Sequence, residues 1–369
     1  MRIALVVTGG FDRSGREHTI PALVSFVEHL ALEHDVVVYV LRYHATPVRY
    51  ALVGATIEDL GSPRGIRRQY VALVAALRRN GPFDVIHGYW AVPGGLVAAA
   101  AGRRLGIPSV VTCDSGEFVA FPSIGYGQQH HLRGRTAVAI ATRLAKTVVV
   151  ASEHQASLAR RHRGSPTVVP LGADTRVFTP GPQPPEGPPW RLLQVANLNP
   201  VKDQATLLRA FRSLLGRGVD AHLDVVGLDT MNGAVQGLAQ NLGVSDGVTF
   251  HGFLPTEALA PLYRAAHLFV LTSLHEGAGV VLLEAAACGV PIVGSCVGHL
   301  ADWAPDRATA VPPGSPAALA DAIDALLQDR ERRRTTAQTA QAWATAHDAA
   351  WSAREMSALY RRITAACVS

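Results

Sequence analysis

Two glutamates bracket a glycine-rich stretch in residues 275–289, which read HEGAGVVLLEAAACG. Gly277 and Gly279 allow backbone amides to approach a ligand closely, and the helix formers that follow predict a helix whose free N–H groups attract an anion. Because a carboxylate repels a phosphate, Glu276 and Glu284 are expected to accept hydrogen bonds from neutral hydroxyls on either side of it. A ligand with hydroxyl, phosphate and hydroxyl groups in that order is a nucleotide sugar.

A lysine elsewhere in the chain can neutralise the charge of such a ligand. Lys202 lies in QVANLNPVKDQATLLRAF, between a predicted strand and a predicted helix, where its ammonium can meet a diphosphate. The sequence has no D-x-D pair, the usual carboxylate pattern for a metal that bridges a diphosphate. We therefore expect no metal, because the lysine and the helix terminus would replace it, and we expect no cofactor.

Short runs rich in Val and Ile alternate with helical stretches through both halves of the 369-residue chain. Examples are RIALVVT, DVVVYVLR and PSVVTC in the first half, and RLLQVAN, HLDVVG and HLFVLTS in the second. Continuous apolar strands joined by helices predict parallel sheets that are buried on both faces. The predicted fold class is α/β, with two Rossmann-like, doubly wound domains facing an interdomain cleft, where ligands bind at the carboxyl ends of the strands.

A proline-rich segment divides the two halves. Residues 179–190 read TPGPQPPEGPPW, and they are predicted to be a linker because proline removes hydrogen-bond donors and forces extended backbone. The predicted domains are an acceptor-side domain at 1–178, a nucleotide-sugar-binding domain at 191–345, and a C-terminal helix at 346–369 that crosses back to the first domain.

These segments resemble the retaining glycosyltransferases of the group 1 type, also called glycosyltransferase family 4, which have the two-domain GT-B architecture. The matching segments are EGAGVVLLEAAACGVPIV with its E-x7-E spacing, VANLNPVKD, LDVVG, VTFHGFLP and VPLGADTRVFTP. The resemblance implies that Glu284 binds the ribose, Glu276 the transferred sugar and Lys202 the diphosphate. The further donor-binding residues that it implies are Gly277, Ala278, Gly279, Val280, Gly10 and Leu254, the last through backbone groups that hold the base.

The chain departs from the family pattern at two places. Ala196 and Asn197 stand where the family usually has Gly-Arg, and Asn197 can donate hydrogen bonds as a donor-binding residue but brings no charge. Asp114 stands where the family has a histidine beside the reacting sugar. An ionised aspartate can accept hydrogen bonds or stabilise developing positive charge, so Asp114 is predicted to be catalytic together with Glu276 and Lys202. The alternative is that Asp114 caps a following helix.

Acceptor-side contacts are expected at strand ends in the first half. Gly9 and Gly10 follow the first strand, where close backbone approach suits a ligand, although a plain tight turn needs the same residues. His87 and Tyr89 in DVIHGYW and Glu117 in CDSGEF complete the predicted acceptor side. The alternative for His87 is a strand-end histidine satisfied within the fold.

Charge is unevenly distributed along the chain. Up to Phe178 there are 20 Lys and Arg against 12 Asp and Glu, whereas the remainder has 14 against 17. This asymmetry suggests an anionic partner for the first half, and the alternative is a solvated basic face. The arginine-rich helix predicted in residues 64–80 could lie on an anionic bilayer that carries a lipid acceptor, or it could pack its apolar stripe on the sheet. We expect no nucleic-acid partner.

Composition and termini favour a protein of a reducing compartment. The start, MRIALVVTGG, suits a buried strand better than a secretory signal, and no apolar run approaches the length of about 18 residues typical of a membrane span. The four cysteines have neither disulfide-framework nor zinc spacing. The expected localisation is cytoplasmic, with peripheral contact at the inner face of the membrane as an alternative.

The sequence thus predicts a retaining, metal-independent glycosyltransferase that moves a sugar from a nucleotide-diphosphate sugar to a glycan, lipid or small-molecule acceptor. Because of Asp114 and Asn197, the alternative is a catalytically inactive homologue that binds sugar nucleotides as a partner subunit. A glycoside hydrolase is disfavoured because Glu276 and Glu284 belong to one ligand-binding segment. A dinucleotide oxidoreductase is disfavoured because GGFDRSG replaces G-x-G-x-x-G after the first strand.

Overall fold

The chain forms two compact units in the computed structural model, which describes residues 1–15, 19–162, 165–182 and 184–366. The first unit contains Met1–Gly172 and the C-terminal residues from Ala349 onward, and the second contains Ala173–Asp348. Each unit is a mainly parallel sheet with helices between successive strands. The predicted α/β class with two parallel-sheet domains is therefore confirmed.

The sheet of the first unit has the strand order β3-β4-β2-β1-β5-β6-β7-β8 within the described residues, and β3 is antiparallel to β4 while the other pairs are parallel. Its inner strands are continuous apolar runs buried on both faces, which is what a parallel sheet covered by helices requires. The strands are β1 Arg2–Val7, β2 Asp35–Val40, β3 Pro47–Leu52, β4 Ala55–Leu60, β5 Val85–Tyr89, β6 Ser109–Cys113, β7 Thr147–Val150 and β8 Thr167–Val168.

Residue types in the sequence explain two of the boundaries of the helices that follow these strands. The third ends at Gly106, which takes a left-handed conformation, and the fifth begins after Ser152, whose side chain accepts a hydrogen bond from the Gln155 amide. The helices are α1 Pro21–Ala31, α2 Ile66–Asn80, α3 Leu96–Leu105, α4 Leu132–Leu144 and α5 Glu153–Arg160.

The second unit has a parallel sheet with the order β11-β10-β9-β12-β13-β14 among its described residues. Its strands are β9 Trp190–Val195, β10 Ala221–Val226, β11 Val248–Gly252, β12 Leu268–Leu271, β13 Ile292–Ser295 and β14 Thr309–Val311. Its helices are α6 Gln204–Gly216, α7 Ala234–Asn241, α8 Thr256–Ala265, α9 Val280–Ala287, α10 His299–Trp303, α11 Pro316–Gln328 and α12 Arg330–Ala346. The central strands β9 and β12 are neighbours, so the segments after them leave the sheet at the same edge.

The boundary between the units lies between Gly172 and Ala173, earlier than the predicted end of the first domain at residue 178. Ala173 and Phe178 are the reason, because both are buried in the core of the second unit, where the Phe178 ring packs edge-on against Tyr263. The proline-rich segment also belongs to the second unit: the Pro185 carbonyl hydrogen-bonds to the His267 ring at 2.9 Å.

The C-terminal region contains two helices, α12 and α13 (Ala349–Ala365), which are separated at residues 347–348. The first of them packs in the second unit, whereas α13 belongs to the first unit. Tyr360 of α13 is fully buried, and its hydroxyl hydrogen-bonds to Nδ1 of His87 in β5 at 2.6 Å. In the described ranges no helix combines the length and hydrophobicity needed to cross a bilayer.

Candidate active site

Two loops meet at the carboxyl ends of β9 and β12 in the second unit. The Thr272 hydroxyl donates to the Lys202 carbonyl at 2.9 Å, and the Leu274 amide donates to the Val201 carbonyl at 2.7 Å. Gln194 of β9 supports this junction by donating to the Thr272 hydroxyl oxygen at 2.9 Å. Residues 70 positions apart in the chain are thereby held at one sheet edge, where parallel α/β sheets bind ligands.

Lys202 and Glu276 form an ion pair at this junction. Lys202 Nζ lies 2.5 Å from Glu276 Oε1, and the Ser273 hydroxyl donates to the same oxygen at 2.5 Å. The Lys202 side chain is 24% exposed and the Glu276 side chain 11% exposed, so the pair is shielded but can be reached from solvent. An ammonium in such a setting can bind an anionic group more strongly than it would in open water.

The helix α9 begins directly beside this pair. Gly279 at its N-cap has a φ of 84°, and no side chain caps the helix there. The Ala278 side chain is buried, and its carbonyl accepts a hydrogen bond from the His299 amide at 2.9 Å, which fixes the loop formed by Gly277 and Ala278. The first amides of α9, from Val280 onward, therefore form the kind of uncapped helix terminus that attracts phosphate.

Glu284 lies in the second turn of α9 and is largely buried, with 8% exposure. Its Oε2 accepts a hydrogen bond from the Tyr263 hydroxyl of α8 at 2.8 Å. Burial raises the pKa of Glu284 to about 7, and the hydrogen bond from Tyr263 opposes that shift. The carboxylate is therefore positioned by a buried phenol, which itself stays protonated because burial raises the pKa of Tyr263 well above its usual range.

Two further predicted donor-binding residues follow β9 and β11, the two strands that flank β10 in the sheet. Asn197 follows β9 and is exposed, but its amide oxygen accepts a hydrogen bond from the Leu228 amide at 3.1 Å. Leu254 follows β11, and its half-buried side chain packs against the core of the unit. Both residues are in the second unit with the glutamates and the lysine, and the Asn197 oxygen is already used to join the ends of β9 and β10.

His87 and Tyr89, predicted to contact an acceptor, are buried inside the first unit. His87 is 0% exposed, and its Nδ1 and Nε2 hydrogen-bond to the hydroxyls of Tyr360 and Thr112 at 2.6 and 2.7 Å. Burial lowers the pKa of His87 to about 3, so its ring is neutral. Tyr89 is 1% exposed and stacks on His87. The acceptor-contact prediction does not agree with this placement, because a fully buried ring with both nitrogens bonded internally cannot meet a ligand.

Glu117 is also buried, with 2% exposure, and its carboxylate is used by the fold. Its two oxygens accept hydrogen bonds from the backbone amides of Ala91 at 3.2 Å and Ser115 at 2.7 Å. Burial raises the pKa of Glu117, and the backbone hydrogen bonds oppose that shift. The carboxylate thus joins the ends of β5 and β6, and Glu117 also lines the cavity at this sheet edge, so its predicted contact with an acceptor stays a prediction. Asp114, directly after β6, is half-buried at the same sheet edge.

The glycine pair after β1 lies where the chain leaves the strand, and Gly10 forms a short parallel bridge with Thr19. Gly10 has a φ of 86°, and its carbonyl accepts a hydrogen bond from the Ile20 amide at 3.1 Å. A Cβ added at Gly10 would lie 2.6 Å from the Ile20 side chain, so both the conformation and the space require glycine. Gly9 lies beside it, with the Arg42 carbonyl 3.4 Å from where a Cβ would be.

Two residues in the second-unit site were missed by the sequence reasoning. Ser273 precedes Glu276 by three residues, and its spacing alone could have suggested a hydrogen bond to that carboxylate. Tyr263 had no such signal, because it comes from a different helix, α8, and reaches Glu284 only through the fold.

Among the described residues, no group of three or more His, Cys, Asp or Glu side chains could hold a metal ion.

Comparison with known proteins identifies relatives over both units. Residues 180–343 match the family described as glycosyl transferases group 1, and residues 23–177 match glycosyltransferase family 4. A D-inositol 3-phosphate glycosyltransferase of Frankia alni is 34% identical over 67% of this chain and 66% of its own length. The protein with the same name from Salinispora arenicola is 32% identical over 78% of this chain and 71% of its own length.

The region that these relatives share with the chain is only part of their own length. In the Mycobacteroides abscessus protein, it is 60% of the length. Among solved structures, sucrose-phosphate synthase from Thermosynechococcus elongatus superposes with a TM-score of 0.80 at 22% identity, covering 99% of both chains. Anabaena HepE in complex with UDP and glucose superposes with a TM-score of 0.77 at 17% identity, covering 98% of this chain and 100% of HepE. These likenesses show the GT-B fold, and the sequence matches show that the chain belongs to the group 1 glycosyltransferases of family 4.

Proposed function

We propose that the protein is a retaining, metal-independent glycosyltransferase that transfers a sugar from a nucleotide-diphosphate sugar to a hydroxyl acceptor. In this proposal the second unit holds the donor and the first unit holds the acceptor. The observation that carries it is the Lys202–Glu276 ion pair beside the uncapped start of α9. A cation, free helix amides and a carboxylate are thereby gathered at one sheet edge, with Glu284 farther along the same helix.

The donor contacts follow from the charges of these groups. The diphosphate would bind the Lys202 ammonium and the first amides of α9, which carry positive charge without a metal. Glu284, when ionised, can accept hydrogen bonds from ribose hydroxyls, and Glu276 can do the same for the transferred sugar. Lys202 would leave Glu276 for the diphosphate, freeing the carboxylate oxygen for a sugar hydroxyl.

The proposed chemical step depends on stabilising the leaving group. As the bond from the sugar to the diphosphate breaks, negative charge develops on the diphosphate, where Lys202 and the helix amides stabilise it. The acceptor oxygen would attack the same face, and the departing diphosphate would take the acceptor proton. Asp114 is assigned the stabilisation of positive charge on the sugar ring. The resemblance to retaining enzymes supports this course, and NMR assignment of the product anomer tests it.

The ligands of structural neighbours suggest a nucleotide for the donor. HepE was solved in complex with UDP and with UDP-glucose, so we propose a uridine nucleotide as the first donor to examine. Ligand that binds the folded state raises its stability by about 2.7 kcal/mol at 100 times the dissociation constant. Thermal unfolding with UDP, GDP and ADP should therefore show a rise of several degrees for the cognate nucleotide, about 2–4 °C for each kcal/mol.

Lys202→Ala provides the sharpest test of the donor site. Loss of a charged contact to the diphosphate should weaken UDP binding by about 10- to 100-fold, measured by titration calorimetry in the presence of EDTA. The matched control is Lys146→Ala, because Lys146 is the other lysine of the chain and is exposed in the first unit. Equal UDP affinity of the two variants would contradict the donor site.

Measurement of nucleotide release distinguishes an active enzyme from an inactive homologue that only binds sugar nucleotides. The wild-type protein with UDP-glucose should release UDP in the presence of EDTA, by transfer or by slow hydrolysis, and Glu276→Gln should abolish that release. Tight binding of a nucleotide sugar without any release of nucleotide, over a panel of common donors, would favour the inactive homologue.

We also propose that the first unit contacts an anionic membrane surface through the outer face of α2. Val71 on this face is 59% exposed, and Arg67, Arg68 and Arg78 are exposed around it. Ile66, the first residue of the helix, is 40% exposed. Each arginine near an anionic bilayer contributes about 1 kcal/mol. Binding to phosphatidylglycerol vesicles, measured by co-sedimentation, should therefore weaken roughly fivefold for each of Arg67→Ala and Arg68→Ala. Binding that is equal on phosphatidylcholine vesicles would contradict an electrostatic contact.

A further inference from the structure

A cavity of about 510 Å³ opens at the carboxyl ends of β1, β5 and β6 in the first unit. Its size is that of a pocket for a small organic ligand. Its lining includes the aromatic residues Trp90 and Tyr126, the acidic residue Glu117, and Thr8, Gln128 and His130, which offer hydroxyl, amide and imidazole groups.

Trp90 has a backbone conformation that bulky residues rarely adopt. Its φ is 57° and its ψ 134°, in a region that is normally reserved for glycine. Such conformations cost about 1–3 kcal/mol and are found where a structure holds a residue for function. Trp90 is half-buried, between the buried residues Tyr89 and Ala91.

The strained backbone of Trp90 is held from both sides. The Trp90 carbonyl accepts a hydrogen bond from the Gly95 amide at 2.7 Å, and the amide of Ala91, the next residue, donates to the buried carboxylate of Glu117 at 3.2 Å. Since Glu117 also accepts from Ser115, one carboxylate fixes Trp90 relative to the end of β6. Glu117 is thereby a positioning residue for Trp90.

Tyr126 forms a second, equally fixed wall of the cavity. A short antiparallel bridge holds it, with hydrogen bonds of 2.8 and 3.1 Å between Phe121 and Tyr126. Its ring packs against Gly116 so closely that an added Cβ there would lie 2.9 Å from the ring. Gln129 ties the same loop to the Glu117 carbonyl at 2.6 Å. Both aromatic walls are therefore ordered before any ligand arrives.

We infer that Trp90 binds the acceptor, and that the acceptor presents a six-membered polyhydroxylated ring, either a sugar or a cyclitol. The C–H groups of such a ring form an apolar face that can lie on the indole, while its hydroxyls point outward to polar groups such as Thr8, Gln128 and His130. An open-chain polyol has no such face. This inference rests on the proposed function, because it makes the cavity the acceptor site of the transferase.

Saturation-transfer NMR on the full-length protein tests the inference with three defined probes: methyl α-D-glucopyranoside, myo-inositol and, as the open-chain comparison, sorbitol. At least one ring compound should bind, and sorbitol should give a much weaker signal. Trp90→Leu should weaken ring binding on the order of tenfold, whereas Trp90→Phe, which keeps an aromatic face, should retain most of it. Trp351→Leu, a half-buried tryptophan in α13 of the same unit, is the matched control.

Thermal unfolding distinguishes a Trp90 variant that loses ring binding because it is unstable from one that loses the ring contact alone. Trp90→Gly should melt at a higher temperature than Trp90→Ala, because glycine tolerates the positive φ, yet both should lose ring binding. Ring binding that is unchanged in Trp90→Leu, absent from the wild-type protein, or equal for sorbitol would overturn the inference. UDP binding by the second unit is measured in parallel. If the wild-type protein does not bind UDP, the proposed function is contradicted independently of the Trp90 result.

Discussion

Glu276 is oriented by a hydrogen bond from a buried serine. Ser273 is fully buried, and its hydroxyl donates to the same Glu276 oxygen that Lys202 contacts. In the proposed donor complex, in which Lys202 binds the diphosphate, the serine would remain to hold the carboxylate in place. Ser273 is therefore a positioning residue, whose effect should appear in turnover and not in nucleotide affinity.

Ser273→Ala should lower kcat by about tenfold and leave UDP affinity nearly unchanged, because it would misplace the carboxylate that the proposed function assigns to the transferred sugar and so alter the reacting geometry alone. Steady-state kinetics with UDP-glucose and calorimetry with UDP measure the two quantities separately. Ser295→Ala is the control, since Ser295 is a similarly buried serine at the end of β13. A serine with a purely structural role would lower stability and leave kcat per folded molecule unchanged.

Glu284 makes the stability of the nucleotide-free protein depend on pH. Its pKa is about 7 in the folded protein, against an ordinary value of 4.5, because burial disfavours the charged form. The folded state therefore keeps a proton that the unfolded chain loses, and stability falls as the pH rises from 4.5 to about 7. The total change is about 3 kcal/mol.

The comparison of wild-type protein with Glu284→Gln isolates this effect. Urea unfolding between pH 4.5 and 8 should show a difference in unfolding free energy, wild type minus variant, that declines with rising pH and levels off above about 7. Glutamine cannot ionise, so other titrating groups cancel in the difference. Parallel stability curves would mean that Glu284 ionises in the folded protein as it does in water.

The start of α9 depends on the conformation of one glycine. Gly279 combines a φ of 84° with a neighbour, Leu282, whose side chain would lie 3.1 Å from an added Cβ. Gly279→Ala should therefore destabilise the protein by about 1–2 kcal/mol and weaken UDP binding, because the α9 amides shift. Chemical unfolding and calorimetry measure the two effects.

Gly237→Ala is the matched control for that substitution. Gly237 lies inside α7 with negative φ and open space where a Cβ would be. Alanine there should leave UDP binding unchanged and stabilise the helix by about 0.5–1 kcal/mol. If both glycine variants bind UDP equally well, the conformation of the α9 start does not matter for the donor site.

In the molecule as a whole, the C-terminal helix α13 completes the first unit. Its residues Met356, Leu359 and Tyr360 are buried, and the Ser357 hydroxyl hydrogen-bonds to the ring of His34 at 2.7 Å. The helix also packs on α1. The first unit thus depends on residues that follow the entire second unit in sequence.

A chain that ends at Asp348 should lose the fold of the first unit while the second unit persists. Hydrogen exchange should accelerate in α1 and β5, which lose their α13 contacts, and stay slow in β9 and β12. The milder variant Tyr360→Phe removes only the hydrogen bond to His87 and should cost about 1 kcal/mol. Unchanged protection of β5 in the truncated chain would contradict this dependence.

Local sequence determined the elements and part of the site. Runs rich in apolar residues predicted the buried strands β1, β2, β9 and β12, and glycines followed by helix formers predicted the start of α9. These features are local, because strand burial and helix initiation depend on residues within a few positions. For the same reason Glu276 and Glu284 could be recognised on one short segment.

Only the tertiary structure decided which side chains meet. The sequence could not place Lys202 against Glu276, or Tyr263 against Glu284, because strand order and helix packing bring these pairs together across long stretches of chain. It also could not distinguish the fully buried His87 from Trp90, which lines the cavity, although both lie in or directly after β5. Burial depends on what packs over a residue, and for His87 that is Tyr360, which comes from the far end of the chain.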